Sequence, residues 1–445
     1  MNTDRIREQF PILNRTVEGP GGPHPLVFMD HGASTQAPTP VLDAVMDLHT
    51  KHYANIHRGN HALSLESSDL FDEGEHVFAD FIGANAETGC FVMGGNTTDS
   101  LSLAAHIIRD VPGATATTIA EHHSNDLPHR RAGKVLHAEV DEFGRVDMDH
   151  MESILQDNEV KLLAVTGASN VTGYFPPIYK LARMAHDNGA RILVDAAQLY
   201  AHDAIDVRAD DHPEHIDFLA AAGHKAYSPF GSSFLYGPQD LMDAAPPFQP
   251  GGGTVDWVTG DDAWFTKSPD RHMGGTPNIT GVVAFAAATK WLKELGMDNV
   301  REHERELTAY GLKRFAELEA EHDVELFGPR SADEKAGVFS FLFEDVRHEV
   351  ASKVLSSEFG IATRNGCFCA HPLLHRLLKL GDTSEWTDAL SRGEPVQLPG
   401  ATRATIGIYQ TKAEVDLLFD ALDVIGKKAW KGNYTADPTC TTEVS

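Results

Sequence analysis

Cysteine is scarce in this chain, with four in 445 residues, too few for a disulfide framework in a protein of this length. Long apolar runs are missing as well. None approaches the roughly 18 residues that a membrane helix needs, and the opening Met1-Asn-Thr-Asp-Arg-Ile-Arg-Glu lacks an apolar signal core. A cytoplasmic protein without a membrane partner is expected. Basic residues are outnumbered, 37 Lys and Arg against 65 Asp and Glu, for a formal charge of −28. That balance argues against nucleic acid or an anionic lipid surface as partner. Such an acidic surface suits a high-salt solvent, although ordinary proteins are acidic too. Internal repeats and low-complexity tracts are absent. What is present is ordinary for a globular protein: 42% hydrophobic residues, 38 Gly and 23 Pro, enough to build a large core and two or three domains.

From about Asp30 to Gly237, strand-like runs alternate with amphipathic stretches. The clearest strands are 164–166, 191–194 and 233–236, and the clearest helices 41–53 and 178–188. Such alternation predicts an α/β domain with a largely parallel sheet. Helices are expected at 282–295 and 299–322. After them come strands at 338–343 and 403–408 and helices at 346–359 and 412–428, the pattern of a second, α+β domain. The expected division is an N-terminal segment 1–28 packing with the small domain, a large domain 29–290 and a small domain 291–445. Residues 380–400 are polar and turn-rich and read as an excursion.

Several residues carry chemistry. The apolar run Ile216-Asp-Phe-Leu-Ala-Ala-Ala-Gly-His-Lys225 ends in a lysine, costly to bury as a cation unless it is paired or has reacted. A Schiff base to an aldehyde cofactor uses such a lysine. Asp195, thirty residues earlier, closes the strand-like Arg191-Ile-Leu-Val-Asp195 and is placed to pair with the pyridinium nitrogen of pyridoxal phosphate (PLP). Alone, each has a plainer reading, a surface lysine or a capping aspartate. Phe91-Val-Met-Gly-Gly-Asn96-Thr97-Thr98 runs from strand into helix, offering N–H groups and hydroxyls to a phosphate, or simple helix capping. A histidine of Glu121-His122-His123 could stack on a flat ring, ligate zinc or sit in the core. Asn170 could reach a cofactor oxygen or hold a turn. Arg364-Asn-Gly-Cys367-Phe-Cys369-Ala370 presents two thiols beside an arginine, a mobile nucleophile, half a metal site or inert packing. Arg403 could clamp a carboxylate.

Taken together, these stretches resemble the class V aminotransferase-like family of PLP enzymes, and within it the group II cysteine desulfurases. The resemblance runs from about Phe10 to Ile425. It rests also on Met29-Asp30-His31-Gly32-Ala33-Ser34-Thr35-Gln36, Tyr53-Ala-Asn55-Ile-His57-Arg58-Gly59, Gly251-Gly-Gly253 and Arg271-His-Met-Gly-Gly275-Thr276-Pro277-Asn278. It implies the fold type I of PLP-dependent transferases, with a mainly parallel seven-stranded sheet. It also implies roles. Lys225 would carry the cofactor, Asp195 pair with its ring nitrogen, and His123 stack on the ring. Gln198 and Asn170 would orient its phenolic oxygen and the substrate. Thr97, Thr98 and His224 would hold the phosphate, with Thr276 supplied by the partner of a homodimer. Arg403 and Arg364 would bind the substrate carboxylate, and Cys369 would accept sulfur from L-cysteine for an acceptor protein, leaving L-alanine. His57 is the candidate for deprotonating the thiol, and no metal ligands are assigned.

Two features depart from that pattern. Ala222 stands where desulfurases commonly place a phosphate-binding serine. Met29-Asp-His-Gly-Ala33 and Gly366-Cys-Phe-Cys369 are also similar to the desulfurase-like domain of molybdenum-cofactor sulfurases. A lyase, epimerase or aminotransferase of the same family acting on another amino acid is the alternative reading.

Overall fold

A computed structural model describes residues 1–20, 22–85, 88–436 and 442–444. Its central sheet has seven strands: β1 (Gly89–Gly94), β2 (Ala114–Thr118), β3 (Val135–Ala138), β4 (Val160–Thr166), β5 (Arg191–Asp195), β6 (Phe218–Ala222) and β7 (Ser233–Pro238). Their spatial order is β1-β7-β6-β5-β4-β2-β3. All neighbours are parallel except β7, which runs antiparallel to both β1 and β6. β4, Val-Lys-Leu-Leu-Ala-Val-Thr, is buried along its whole length, as a strand covered on both faces must be. Its side chains alternate between two cores. Leu163 joins the face covered by α1 (Ala62–Ile82) and α4 (Ile279–Leu295), with Phe78, Phe234 and Phe285. Leu162 joins the opposite face under α2 (Thr97–Ile107), with Leu101, Leu193 and Phe218. The helix α3 (Ile178–Asp187) precedes β5.

The second unit contains α5 (Met297–Glu321), β8 (Val324–Phe327), β9 (Val338–Phe343), α6 (His348–Phe359), β10 (Arg364–Gly366), β11 (Ala401–Thr405) and α7 (Lys412–Gly426). Its strands lie in the order β8-β9-β11-β10, all antiparallel, over a core of its own built on Phe315, Phe341, Val354 and Phe419. Residue 290 falls inside α4, whose Trp291 and Leu292 still belong to the large core. We therefore propose Gly296, between α4 and α5, as the division. The N-terminal segment touches both units. Val27–Phe28 pairs with Ile361–Ala362 of the second unit, whereas Ile6 and Phe10 sit in the large core. The excursion at 380–400 holds a helix, Ser384–Ser391, which its turn-rich composition did not announce. Trp386, Ala389 and Leu390 recur at helical spacing there, and the first two are half-buried.

This architecture brings the C-terminal ends of β4, β5 and β6 to one edge, facing the second unit. In parallel sheets that edge is where ligands bind.

Candidate active site

A cavity of about 370 Å³ opens at that edge. Asp195, the last residue of β5, and Lys225, on the turn Gly223–Lys225 that continues β6, line it from the large unit. Arg364 and Arg403, from β10 and β11, and Phe368 and Cys369 line it from the second unit. The expected lining residues Thr97, Thr98, Asn170, Gln198 and His224 are also there.

Asp195 is buried and accepts a hydrogen bond from Ala197 N at 2.9 Å. Burial pushes its carboxyl up, and the neighbouring Lys225 opposes that. The Lys225 amine has no hydrogen-bond or ion-pair partner among the described residues. Burial lowers it to about 8, against Asp195 holding it up. A lysine in that range keeps a substantial neutral fraction near neutrality, as a nucleophile or base needs.

One corner of the cavity is built by α2. Asn96 caps the helix by accepting from Asp99 N at 3.1 Å, so the capping reading is correct for that residue. Thr97 follows at the helix N-terminus, and its buried Oγ1 has no hydrogen-bond partner among the described residues. Thr98 Oγ1 lies 2.6 Å from Ser124 Oγ, a further lining hydroxyl that the sequence did not single out. These hydroxyls and the open end of the helix suit an anion. Ala222 is buried in β6 with no hydroxyl to offer, so Ser124 is the serine on this cavity wall.

His122, not His123, lines the cavity. Burial, with the charges of Lys225, His123, Arg403 and His224, lowers its pKa to about 3, so it stays neutral. His224 is likewise lowered to about 4 by burial and Lys225. His123 faces the other way. Its N–H donates to Cys369 O at 2.8 Å, and its ring stacks on His371 at 4.9 Å between centroids, with Nε2 accepting from His371 N at 3.2 Å. Of the two histidines, His122 and not the expected His123 is therefore the one on the cavity wall. The chain turns between adjacent histidines, and a doublet does not declare which faces inward.

The thiol loop has two consecutive non-glycine residues in left-handed backbone, Phe368 and Cys369, both at φ 56°. L-residues reach that region at a cost of roughly 1–2 kcal/mol each. Asn170 Nδ2 donates to Phe368 O at 2.7 Å, His123 N to Cys369 O, and Ala370 N to Cys367 O at 3.1 Å. The result leaves Cys369 exposed on the cavity while Cys367 packs partly into an apolar cluster with Phe368 and Leu373. Arg403 is 2% exposed. Its guanidinium lies 4.8 Å from the centre of the Phe368 ring and donates to Asn170 O at 2.8 Å. Burial lowers it to about 10, with Asp30 opposing. Its Nε has no partner. Arg364 is exposed and pairs with Asp30 at 2.9 Å.

Two expected residues lie elsewhere. His57 is exposed and pairs with Asp72 at 2.8 Å. It lines a second hollow of about 260 Å³ together with Thr276, Gly275 and Gly253. His57 is therefore not placed beside the thiol of its own chain, and Thr276 is exposed away from its own cavity.

Residues 27–418 match the family model described as aminotransferase class-V. A cysteine desulfurase of Haloferax volcanii is 34% identical over 95% of this chain and 96% of its own length. A probable cysteine desulfurase of Synechocystis is 33% identical over 94% of each. Among solved structures, the apo cysteine desulfurase of Thermococcus onnurineus superposes with a TM-score of 0.82 at 29% identity, covering 96% of this chain and 98% of that one. The cysteine desulfurase CsdA of Escherichia coli superposes at 0.80 with 27% identity, covering 97% and 100%. The chain belongs to the class-V aminotransferase family and, within it, to the cysteine desulfurases.

Proposed function

We propose that this protein converts L-cysteine to L-alanine, carrying the sulfur as a persulfide on Cys369 for transfer to an acceptor. One observation carries the reading: a cavity shared by Lys225, Asp195, Arg403 and the exposed Cys369 thiol.

PLP fits the residues present. Thr97 Oγ1, buried at a helix N-terminus with no hydrogen-bond partner among the described residues, is free to meet a phosphate oxygen, and Asp195 and Lys225 line the same cavity. Bound there, PLP supplies a sink for the electron pair that develops at the substrate Cα. Lys225 moves the Cα proton, and Asp195 holds a proton on the pyridine nitrogen. His122 covers the ring face. Thr97, Thr98, Ser124 and His224 hold the phosphate, and Gln198 stands at the phenolic side, its amide donating to Gly32 O at 2.7 Å. Arg403 grips the substrate carboxylate with Arg364 at the rim. The Cys369 sulfur then bonds to the substrate sulfur as the C–S bond breaks. The electron pair stays with the carbon skeleton, which takes up protons and leaves as alanine. Thiol plus cysteine gives persulfide plus alanine, and no oxidant is needed.

Thr276 and His57 lie together in the second hollow, outside their own cavity, which supports a homodimer in which each chain completes its partner's site. Among the described residues no helix is long and apolar enough to cross a membrane, in keeping with the proposed cytoplasmic setting. Incubation of the PLP-loaded protein with L-cysteine and a reductant tests the reaction. Sulfide and alanine should appear in equal amounts. Ammonia and pyruvate in place of alanine would put a lyase in its stead.

A further inference from the structure

At the opposite end of the same strands, three side chains form a second constellation. His186 sits in the last turn of α3, and His215 and Asp217 lie on the segment entering β6. Their ligand atoms all fall within 4.8 Å of one another. His186 Nε2 is 2.9 Å from Asp217 Oδ2, and His215 Nε2 is 3.4 Å from Asp217 Oδ1. The imidazoles stack at 4.1 Å between centroids, 19° apart.

The hydrogen bonds on the far side of each ring set the tautomers. His186 Nδ1 lies 3.0 Å from Pro213 O and His215 Nδ1 2.8 Å from His212 O. Carbonyl oxygens only accept, so both Nδ1 atoms carry hydrogens. In a neutral imidazole the other nitrogen is then a lone pair. Two lone pairs would thus face a carboxylate, acceptor against acceptor. Either one or both rings take a second proton, or one cation sits between the three groups. The first arrangement places one or two positive rings in a stacked pair beside Arg191, whose Nε is 3.7 Å from Asp217. The second replaces two protons by a single ion. A backbone carbonyl holding the distal nitrogen is also the usual outer support of a metal-bound histidine.

We propose that His186, His215 and Asp217 bind a transition-metal dication of the zinc type. With bonds of about 2.0–2.1 Å in tetrahedral geometry, ligand atoms stand about 3.3 Å apart, and each imidazole nitrogen is near that distance from one carboxylate oxygen, His186 from Oδ2 and His215 from Oδ1. Two imidazoles select zinc, cobalt or nickel over magnesium or calcium. The side chains are 18%, 21% and 8% exposed, which leaves solvent access for entry and for the fourth ligand. The ion clips three elements together. Asp217 Oδ2 also accepts from Ile192 N at 2.8 Å, so α3, β5 and β6 meet there. The cluster is separated from Lys225 by a strand of roughly 16 Å, so its role is structural, and the inference does not depend on the reaction catalysed.

The test uses full-length, PLP-loaded protein stripped with a chelator and titrated with Co²⁺ alone. One ion per chain should bind with the visible bands of a nitrogen and oxygen shell and no thiolate charge transfer. Cys369→Ser should leave this unchanged, whereas His186→Gln and His215→Gln should each weaken it at least about tenfold. Zn²⁺ should raise the Tm of the parent and not of the histidine variants, with basal turnover equal in all three. X-ray absorption of the Zn²⁺-loaded parent, which needs no variant to fold, should find no sulfur ligand. Failure of the parent to bind, binding undiminished in both histidine variants, or a shell containing sulfur would overturn the proposal.

Discussion

The two walls of the cavity are built on opposite plans. The large-unit wall sits at the ends of central parallel strands, where Asp195 and its neighbours in β5 are buried and held by the sheet. The second-unit wall is a short turn with an exposed thiol, kept in left-handed backbone by hydrogen bonds from Asn170 and His123 of the large unit. A cofactor must stay, and a rigid floor of low dielectric holds it with its proton states tuned. A persulfide must leave, and a thiol on a turn can reach both substrate and acceptor. On the proposed mechanism, the difference gives cofactor retention to one wall and sulfur delivery to the other.

The sharpest way to break that division is to remove each wall's reactive group. Lys225→Ala should lower alanine formation by roughly ten-thousand-fold and abolish the visible absorption band, sensitive to borohydride, that PLP joined to this lysine is expected to give. Cys369→Ser should reduce sulfide and persulfide to background while the band remains. If both variants lost the band, the walls would not be separable. Cys367→Ser, being packed beside Phe368, should matter less.

Arg403→Lys comes next. A lysine loses the forked pair of donors, and one charge-assisted hydrogen bond is worth about 2 kcal/mol, so kcat/KM should fall roughly thirtyfold, mostly through KM. The adjacent histidines give a finer cut. His122→Ala should shift the cofactor absorption and weaken PLP retention. His123→Ala should spare both and slow persulfide formation, because its ring accepts from His371 N and stacks on His371, two residues beyond Cys369. The reverse pattern would restore the assignment read from the sequence.

The last effect, on stability and not on turnover, concerns the seam between the units. Lys335 is fully buried, its amine has no hydrogen-bond partner among the described residues, and it lies 5.5 Å from the Phe339 ring centre. Burial, aided by Arg330, lowers it from 10.5 to about 7. The folded state therefore binds this proton less readily than the unfolded chain, and stability from this group rises with pH between about 7 and 10.5. Lys335→Met should stabilise the protein by a few kcal/mol below pH 7. The gain should shrink towards pH 10.5, as urea melts of both proteins at several pH values would reveal.

Much of the cofactor wall was legible because buried parallel strands announce themselves. Arg191-Ile-Leu-Val-Asp195 is a continuous apolar run ended by a charge, and Phe218–Ala222 leads directly to Lys225. The thiol wall was legible only as a loop with cysteines. Its geometry depends on pairings such as Asn170 with Phe368 and His123 with Cys369, about 200 residues or more apart in the chain, and no local pattern encodes them. The same holds for His57, whose motif was visible but whose placement beside Thr276 follows from tertiary packing. The helix Ser384–Ser391 escaped because its polar composition outweighed three apolar positions.

Charge counting around Asp30 has a consequence for substrate choice. Arg364 and Arg403 both face this single carboxylate, at 2.9 and 3.6 Å, so the corner carries one surplus positive charge. A ligand bearing one carboxylate brings it to neutrality. An acidic amino acid would overshoot by one, with no second cation from that trio to receive the extra anion. If Arg364 and Arg403 receive the substrate carboxylate as proposed, the corner discriminates by electroneutrality, favouring a neutral-side-chain amino acid such as cysteine over aspartate and glutamate.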